Sequence, residues 1–506
     1  MRQLHELAEV LAWLRACGVE DLQVDSRRVR PGDAFIAWPG AATDGRRFVG
    51  DALAAGALVA LVEQVGVEAW SLSDARVAAV RGLKALTGPL AAAFHGEPSR
   101  SLDLIAFTGT NGKTSSAWWM AQLLSAAGLP CAVVGTLGMG RPPTPSAPAG
   151  AAWTPTGLTT PDPVSLQRQL RRFVDEGDRA CAIEASSIGL AEHRLAGSHI
   201  RVGVFTNFTQ DHLDYHGSME RYWQAKLALF DWPGLQAVVV NLDDPKAETL
   251  LNHLEGRGLD VWTVGIERPG ARLRASAISW TVEGVEFEFQ EGERCHRLRL
   301  PLVGRYNVSN LLGVVAAARA VGLSLDETVA ACARLGPVPG RMEAVHADGA
   351  EAGPLVLVDY AHTPDALVQA LQALQPLIRR RGGRLWVVVG CGGDRDPGKR
   401  PLMAAAAQSH ADEAVLTSDN PRSEDPQAIL EQMRSGLRSS EGVVIEADRA
   451  LAIERAVCSA DVADVVLVAG KGHEEYQEIR GVRKRFSDRD EVRRALHQRR
   501  QLEARP

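Results

Sequence analysis

Residues 109 to 115 read Gly109-Thr110-Asn111-Gly112-Lys113-Thr114-Ser115, after the apolar run LDLIAF and ahead of a helical pattern. Strand, glycine loop, lysine, threonine and helix in that order suit a phosphate. Backbone N–H groups at a helix start point outward, and the helix dipole favours an anion there. Lys113 can reach the outer phosphates of a nucleotide, and the Thr114 hydroxyl can ligate Mg²⁺. The full nucleotide fingerprint wants a glycine five residues before Gly112, where Phe107 stands. The shorter loop loses a tight turn but none of the phosphate-holding groups.

Glu184 in AIEASS and His212 in TNFTQDHLDYHG each follow an apolar run of strand length. A carboxylate and an imidazole at the carboxyl edge of one sheet suit a divalent cation. His212 and His216, at i and i+4, carry little weight alone. Lys226 sits among Tyr222, Trp223, Leu227 and Phe230, and from patterning alone it reads as a lysine snorkelling off a packed helix face. Farther on, GCGGDRDPGKR and TSDNPRSEDP place Asp and Arg side by side after strands, and GKGHEEY forms a third loop. Each is ordinary turn chemistry taken singly. Together they fit a zwitterion, with Arg forking onto a carboxylate and Asp or Asn taking an ammonium.

Short apolar strands alternate with helical segments along the chain, the pattern of α/β architecture. At 506 residues, the length predicts about three domains. We place a small N-terminal α/β domain at 1–95, ending at the linker GEPSRS. A central P-loop ATPase-like domain with a mostly parallel sheet spans 96–337, and a C-terminal Rossmann-like doubly wound domain spans 338–506. The N-terminal Leu4, Leu7, Leu11 and Leu14 predict an amphipathic helix. GRPPTPSAPAGAAWTPTGLTTPDP is a long Pro/Gly/Thr-rich loop of the functional or mobile kind.

Net charge is −6 and the isoelectric point about 6.1, so no basic field argues for nucleic acid or anionic lipid. Seven cysteines without a CxxC pair imply reduced, mostly buried thiols and no zinc site. No signal-peptide pattern opens the chain, and no run approaches the roughly 18 apolar residues of a membrane span. A cytoplasmic protein is expected.

The strings GTNGKT, EASS, TNFTQDHLDYHG, GRYNVSNLLG, GRME, DYAHTPDAL, GCGGDRD, SDNPRSEDP and AGKGHE resemble, in order and spacing, the Mur ligase family, specifically its MurE type. The likeness covers essentially the whole chain, and the family's loop has the short GTNGK[ST] form. It implies an ATP-dependent ligase of cytoplasmic peptidoglycan precursor synthesis. ATP phosphorylates the D-glutamate γ-carboxylate of UDP-N-acetylmuramoyl-L-Ala-D-Glu, and the amine of meso-diaminopimelate then displaces phosphate from the acyl phosphate.

The resemblance also assigns residues. Gly109 to Ser115, Asn307 and Arg341 would bind ATP, with His362 near it. Thr114, Glu184, His212 and a carbamylated Lys226 would hold Mg²⁺, as two ions. Lys113, Glu184, His212, Lys226 and His362 form the implied catalytic set. Ser26, Thr159, Thr160, Ser186, Glu192 and Arg194 match UDP-substrate contacts. Arg395, Asp419, Asn420, Pro421, Arg422, Gly470 and Glu474 match diaminopimelate contacts, with DNPR as the motif that recognises its distal carboxylate. The chain departs from the commonest pattern at Ala41, Ala42, Leu158, Ile188 and Glu192, which bears on the UDP-substrate grip. The implied partners are small molecules acting on a monomer. A lysine-adding relative, a folylpolyglutamate synthetase and a P-loop ATPase of another class stay open as alternatives. Arg422 argues against the first, the N-terminal DSRRVRPGDAFIAWPG against the second, and the Asp/Arg loops against the third.

Overall fold

The computed structural model describes residues 1–40, 43–143, 153–281, 284–346 and 353–503, so Ala41 and Ala42 lie outside it. Three large sheets with flanking helices, and a two-stranded ribbon of Tyr476–Ile479 and Val482–Arg485, organise the described residues. The first has five strands, all parallel, in the order Arg2–Leu4, Val77–Val80, Val59–Glu63, Asp33–Ala37, Asp21–Gln23. Leu4 therefore belongs to a strand, and the predicted amphipathic helix begins at Leu7 and ends at Ala16. Leu4 still packs into the same core as Val10 and Leu14, which is why its spacing reads as helical.

The second sheet has ten strands among the described residues. Named by first residue, they run Arg294, Gly284, Leu273, Asp260, Ala237, Val202, Asp103, Ala180, Cys131, Gly138. Its middle is parallel, from Leu273–Thr281 across to Cys131–Gly135. The central strands from Ala237–Asn241 to Cys131–Gly135 are buried on both faces, so they read as largely unbroken apolar runs. In Asp103–Thr108, Ile105 and Phe107 join one core cluster while Leu104 and Ala106 join the opposite one. At one edge, Leu273–Thr281, Gly284–Glu291 and Arg294–Leu300 form an antiparallel extension.

The third sheet orders Glu343–Val345, Leu355–Asp359, Val465–Ala469, Leu385–Cys391, Glu413–Ser418, Val443–Ile445, and all but the first pairing are parallel. Ligands on such sheets bind beyond the carboxyl ends of the strands. Here those ends carry the Asp359, Cys391, Ser418 and Ala469 loops.

Ion pairs tie the layers together. Lys84 meets Glu192 at 2.7 Å and Arg168 meets Asp21 at 2.8 Å, joining the first sheet's unit to the second. Lys399 meets Asp211 at 2.8 Å, joining the third to the second. No helix among the described residues is long and apolar enough to cross a membrane.

Candidate active site

A cavity of about 550 Å³ opens where the second and third sheets' loops face each other. Thr110 to Ser115, Thr159, Glu184, His212, Asn307, Arg341 and His362 all line it. The strand ends at Thr108 and the helix begins at Lys113, so Lys113, Thr114 and Ser115 form its first turn. Gly112 caps that helix at φ +84°, which a side chain rarely adopts, and a Cβ there would fall 2.3 Å from Asn310 Oδ1. Thr114 Oγ1 donates to Glu184 Oε2 at 2.9 Å, and the Thr136 amide donates to Glu184 Oε1 at 2.7 Å. Arg341, from the third sheet's side, donates to Thr114 Oγ1 at 3.0 Å. Asn307 donates to the Val303 carbonyl at 2.8 Å, and His362 Nδ1 lies 2.8 Å from the Tyr360 carbonyl.

Two lysines converge on the loop itself, although carboxylates outnumber cations along the cavity wall. Lys113 Nζ donates to the Gly109 and Thr110 carbonyls at 2.8 and 2.9 Å. Lys226 Nζ donates to the same Gly109 carbonyl at 2.7 Å and lies 4.4 Å from the Tyr222 ring centre. Burial, then the nearby Lys113 charge, pull the Lys226 pKa well below that of an ordinary lysine. That favours a neutral amine. Lys226 is thus no snorkelling lysine, since it is 1% exposed. His212 occupies a left-handed position at φ +52° ahead of a short helix, and burial pushes its pKa down to about 4 despite Asp211 beside it. His216 instead faces Ser187 Oγ at 3.0 Å.

Thr114 and Glu184 offer hard oxygen donors, the type Mg²⁺ takes, and the neutral His212 ring has a lone pair free of a proton's competition. Among the described residues, no three His, Cys, Asp or Glu side chains form a ready cluster for a metal. The donor set therefore fits an ion that keeps waters and phosphate oxygens in its shell.

The loops of the third sheet meet in a second polar cluster. Asn420 Nδ2 donates to Glu474 Oε2 at 2.7 Å, and the buried Lys471 Nζ bridges Asn420 Oδ1 and Glu474 Oε2 at 3.1 Å each. Asp419 Oδ1 is 4.0 Å from the same ammonium. Gly470 is needed for fit, because a Cβ there would come within 2.6 Å of Asp419 Oδ2. Arg422 sits at φ +52° and donates to the Gly393 carbonyl, while Pro421 packs its carbonyl on Gly393. Arg395 is the outlier: it is exposed and, among the described residues, bonds only the carbonyl of Asp394, at 3.0 Å.

Family models match three stretches of the chain: the Mur ligase family catalytic domain at 19–86, the Mur ligase middle domain at 107–318, and the Mur ligase glutamate ligase domain at 340–472. A UDP-N-acetylmuramoyl-L-alanyl-D-glutamate–2,6-diaminopimelate ligase of Acidovorax sp. (strain JS42) is 56% identical, covering 99% of each chain. The chain belongs to the Mur ligase family. A Ralstonia nicotianae ligase of the same name is 46% identical over 97% of this chain and 96% of its own. A solved structure titled as that ligase superposes with a TM-score of 0.65 at 36% identity, covering 95% of each. A Thermotoga maritima MurF ligase in complex with ADP shares the fold at a TM-score of 0.64 and 18% identity, covering 96% of this chain and 99% of its own.

In this Mur ligase the residues expected on the UDP-substrate side divide into two groups. Ser26 lines a separate cavity of about 530 Å³ in the N-terminal unit, with Phe35, Trp38 and Phe48. Thr159, Thr160, Ser186 and Arg194 instead gather behind Glu184. Thr136 Oγ1 donates to Thr159 Oγ1 at 3.1 Å, Thr160 Oγ1 donates to the Glu184 carbonyl at 2.7 Å, and Arg194 donates to the Thr160 carbonyl at 3.0 Å. Ser186 Oγ lies 2.9 Å from Thr160 Oγ1 and caps the helix Ser187–Ala191. Glu192 accepts from both Lys84 and the Tyr215 hydroxyl. Leu158 is exposed and Ile188 is half-buried.

Sequence reasoning passed over Asp211, Lys399 and Lys471. Asp211 stands in the same TQDH string as His212, so its position was readable. Lys399 is distant in sequence from Asp211, and Lys471 is distant from Asn420 and Asp419 although Glu474 lies three residues from it.

Proposed function

We propose that this chain is an ATP-dependent ligase joining meso-diaminopimelate to the D-glutamate γ-carboxylate of UDP-N-acetylmuramoyl-L-Ala-D-Glu. The observation that carries the reading is Arg341 on Thr114 at 3.0 Å, which sets the third unit's loops against the phosphate loop. Such a ligase needs ATP beside an amino-acid pocket. The domain limits 1–95, 96–337 and 338–506, and the residue roles below, are part of the proposal.

The loop amides at Gly112 to Thr114 and the Lys113 ammonium hold the outer phosphates of ATP, and Arg341 adds a second cation. A substrate carboxylate oxygen attacks the γ-phosphorus, the bond to ADP breaks, and an acyl phosphate forms. The amine of diaminopimelate attacks the acyl carbon, inorganic phosphate departs with the bonding pair, and the nitrogen gives up a proton. Transfer of this kind relies on positioning and charge stabilisation rather than covalent help from the protein. Thr114, Glu184 and His212 would hold Mg²⁺, as would Lys226 once carbamylated, and the ion supplies charge neutralisation at the transferring phosphoryl group. The depressed pKa of Lys226 supports the carbamate, because only a neutral amine adds to CO₂.

In the third unit, Glu474 and Asn420 receive an ammonium, Arg422 pairs with the distal carboxylate that lysine lacks, and Arg395 closes from the exposed rim. The test is phosphate release from ATP with meso-diaminopimelate, lysine and ornithine side by side. Release requires both the UDP-dipeptide and meso-diaminopimelate. Equal release with either omitted refutes the ligase reading.

A further inference from the structure

The loop that carries Arg341 touches both pockets at once. Arg341 reaches Thr114 on the nucleotide side, and its guanidinium lies 4.3 Å from the Tyr360 ring centre. The Tyr360 ring also packs against His473, at 5.3 Å between centres with the planes tilted by 42°. His473 precedes Glu474 and follows Lys471 by two residues, both in the amino-acid cluster. The backbones interlock beneath these rings. A Cβ on Gly340 would come 2.2 Å from the His473 nitrogen, and one on Gly472 would come 2.7 Å from the Gly340 carbonyl. Asp359 fixes the other flank, accepting from the Met342 amide at 2.7 Å. The His473 ring is half-buried, with its Nδ1 enclosed and unbonded, and desolvation followed by the Arg341 charge lowers its pKa and favours the neutral ring. A neutral ring can pack beside a guanidinium without repelling it.

We infer that Tyr360 is a positioning residue through which an occupied amino-acid pocket orders Arg341 over the phosphate loop. The inference rests on the ligase reading above. Movement of the Lys471–Glu474 turn shifts the His473 ring, which leans on Tyr360, which in turn sets the plane Arg341 rests on. Cation–π and aromatic contacts of this kind are directional, so the stack has a preferred arrangement to transmit. Coupling between two sites is reciprocal, so diaminopimelate tightens nucleotide binding by the factor that nucleotide tightens diaminopimelate.

The test is the affinity of full-length protein for a non-hydrolysable ATP analogue, at saturating UDP-dipeptide, with and without meso-diaminopimelate. Wild type and Tyr360→Phe show a ratio of about fivefold or more, the low end of typical coupling factors. Tyr360→Leu brings the ratio close to one, and His473→Leu does the same from the other side of the stack, which decides the matter if Tyr360→Leu does not fold. A ratio kept in the folded leucine variants overturns the inference. So does a ratio of one in wild type whose phosphate release still requires diaminopimelate. Release that does not require it overturns the ligase reading instead.

Discussion

Gly135→Ala adds one methyl group at the end of the strand Cys131–Gly135, where the backbone is not in the left-handed region and alanine brings no strain of its own. Its Cβ would fall 2.1 Å from Glu184 Oε1 and 2.8 Å from both Cδ and Cγ. Ordinary contact needs at least about 3.4 Å, so the carboxylate must swing away by more than about 1 Å. Doing so breaks the bond from the Thr136 amide at 2.7 Å and that from Thr114 Oγ1 at 2.9 Å. Hydrogen bonds to a charged group contribute about 1.5–3 kcal/mol each, so folding stability falls by about 3–5 kcal/mol after partial rehydration. Loss of a group that orients a metal ligand typically costs about 10- to 100-fold in metal affinity. The assay is phosphate release titrated with Mg²⁺. The midpoint moves up by about 10- to 100-fold, and the KM for diaminopimelate stays within about twofold. A folded Gly135→Ala protein whose Mg²⁺ curve overlies that of wild type would refute the role given to Glu184.

Lys226→Ala lowers turnover by about 100-fold or more, the scale for losing one charge-stabilising group, and added bicarbonate or a short carboxylic acid restores part of it. Unimpaired Lys226→Ala enzyme removes the carbamate from the proposal. Arg422→Ala raises the KM for diaminopimelate roughly 5- to 150-fold, the equivalent of about 1–3 kcal/mol for an unpaired carboxylate, and leaves the KM for ATP nearly unchanged. Equal shifts in both constants mean that Arg422 is structural. Arg449, fully buried against Asp488 at 2.7 Å and donating to the Ala469 carbonyl at 2.9 Å, spans two strand ends under the amino-acid loops. Arg449→Met leaves a buried carboxylate unpaired and destabilises by about 3–5 kcal/mol in denaturant unfolding, and adding Asp488→Leu recovers most of it. An Arg449→Met protein as stable as wild type contradicts this.

The parts of the fold that repeat a local rule were legible. The central parallel strands, such as Cys131–Gly135, Ala180–Glu184 and Val465–Ala469, show as apolar runs because both of their faces are buried, and their loops carry the motifs. The antiparallel extension was legible as well but passed over. In GVEFEFQE, Val285, Phe287 and Phe289 alternate inward against glutamates, a period-2 signal weaker than an unbroken run. What a single sequence cannot display is pairing at a distance. Arg400 is 2% exposed and grips Glu424 with two bonds of 2.7 and 2.8 Å while also holding the Gly392 carbonyl, so it fastens the GCGGDRD loop to the DNPRSE loop. From its neighbours Arg400 looks like any helix-surface arginine. Lys399 beside it, on Asp211, has the same history.

The loop lacking its early glycine shows how one segment can replace another's work. Phe107 stands where that glycine would be, and it is fully buried in the core cluster. The turn that follows is braced from the next strand instead. The Thr110 amide donates to the Asn207 carbonyl at 2.9 Å, the Asn111 amide to Asn207 Oδ1 at 2.8 Å, and Thr206 Oγ1 to the Asn111 carbonyl at 2.7 Å. Thr110 Oγ1 completes the set by donating to the Thr209 carbonyl at 3.0 Å. The string TNFTQDH therefore shapes the phosphate loop through Thr206, Asn207 and Thr209 and presents Asp211 and His212 to the same cavity with its last two residues. A shortened loop of this kind depends on its neighbour, so a substitution at Asn207 should weaken nucleotide binding although Asn207 carries no charge. A free-standing P-loop with its own early glycine would lack that dependence.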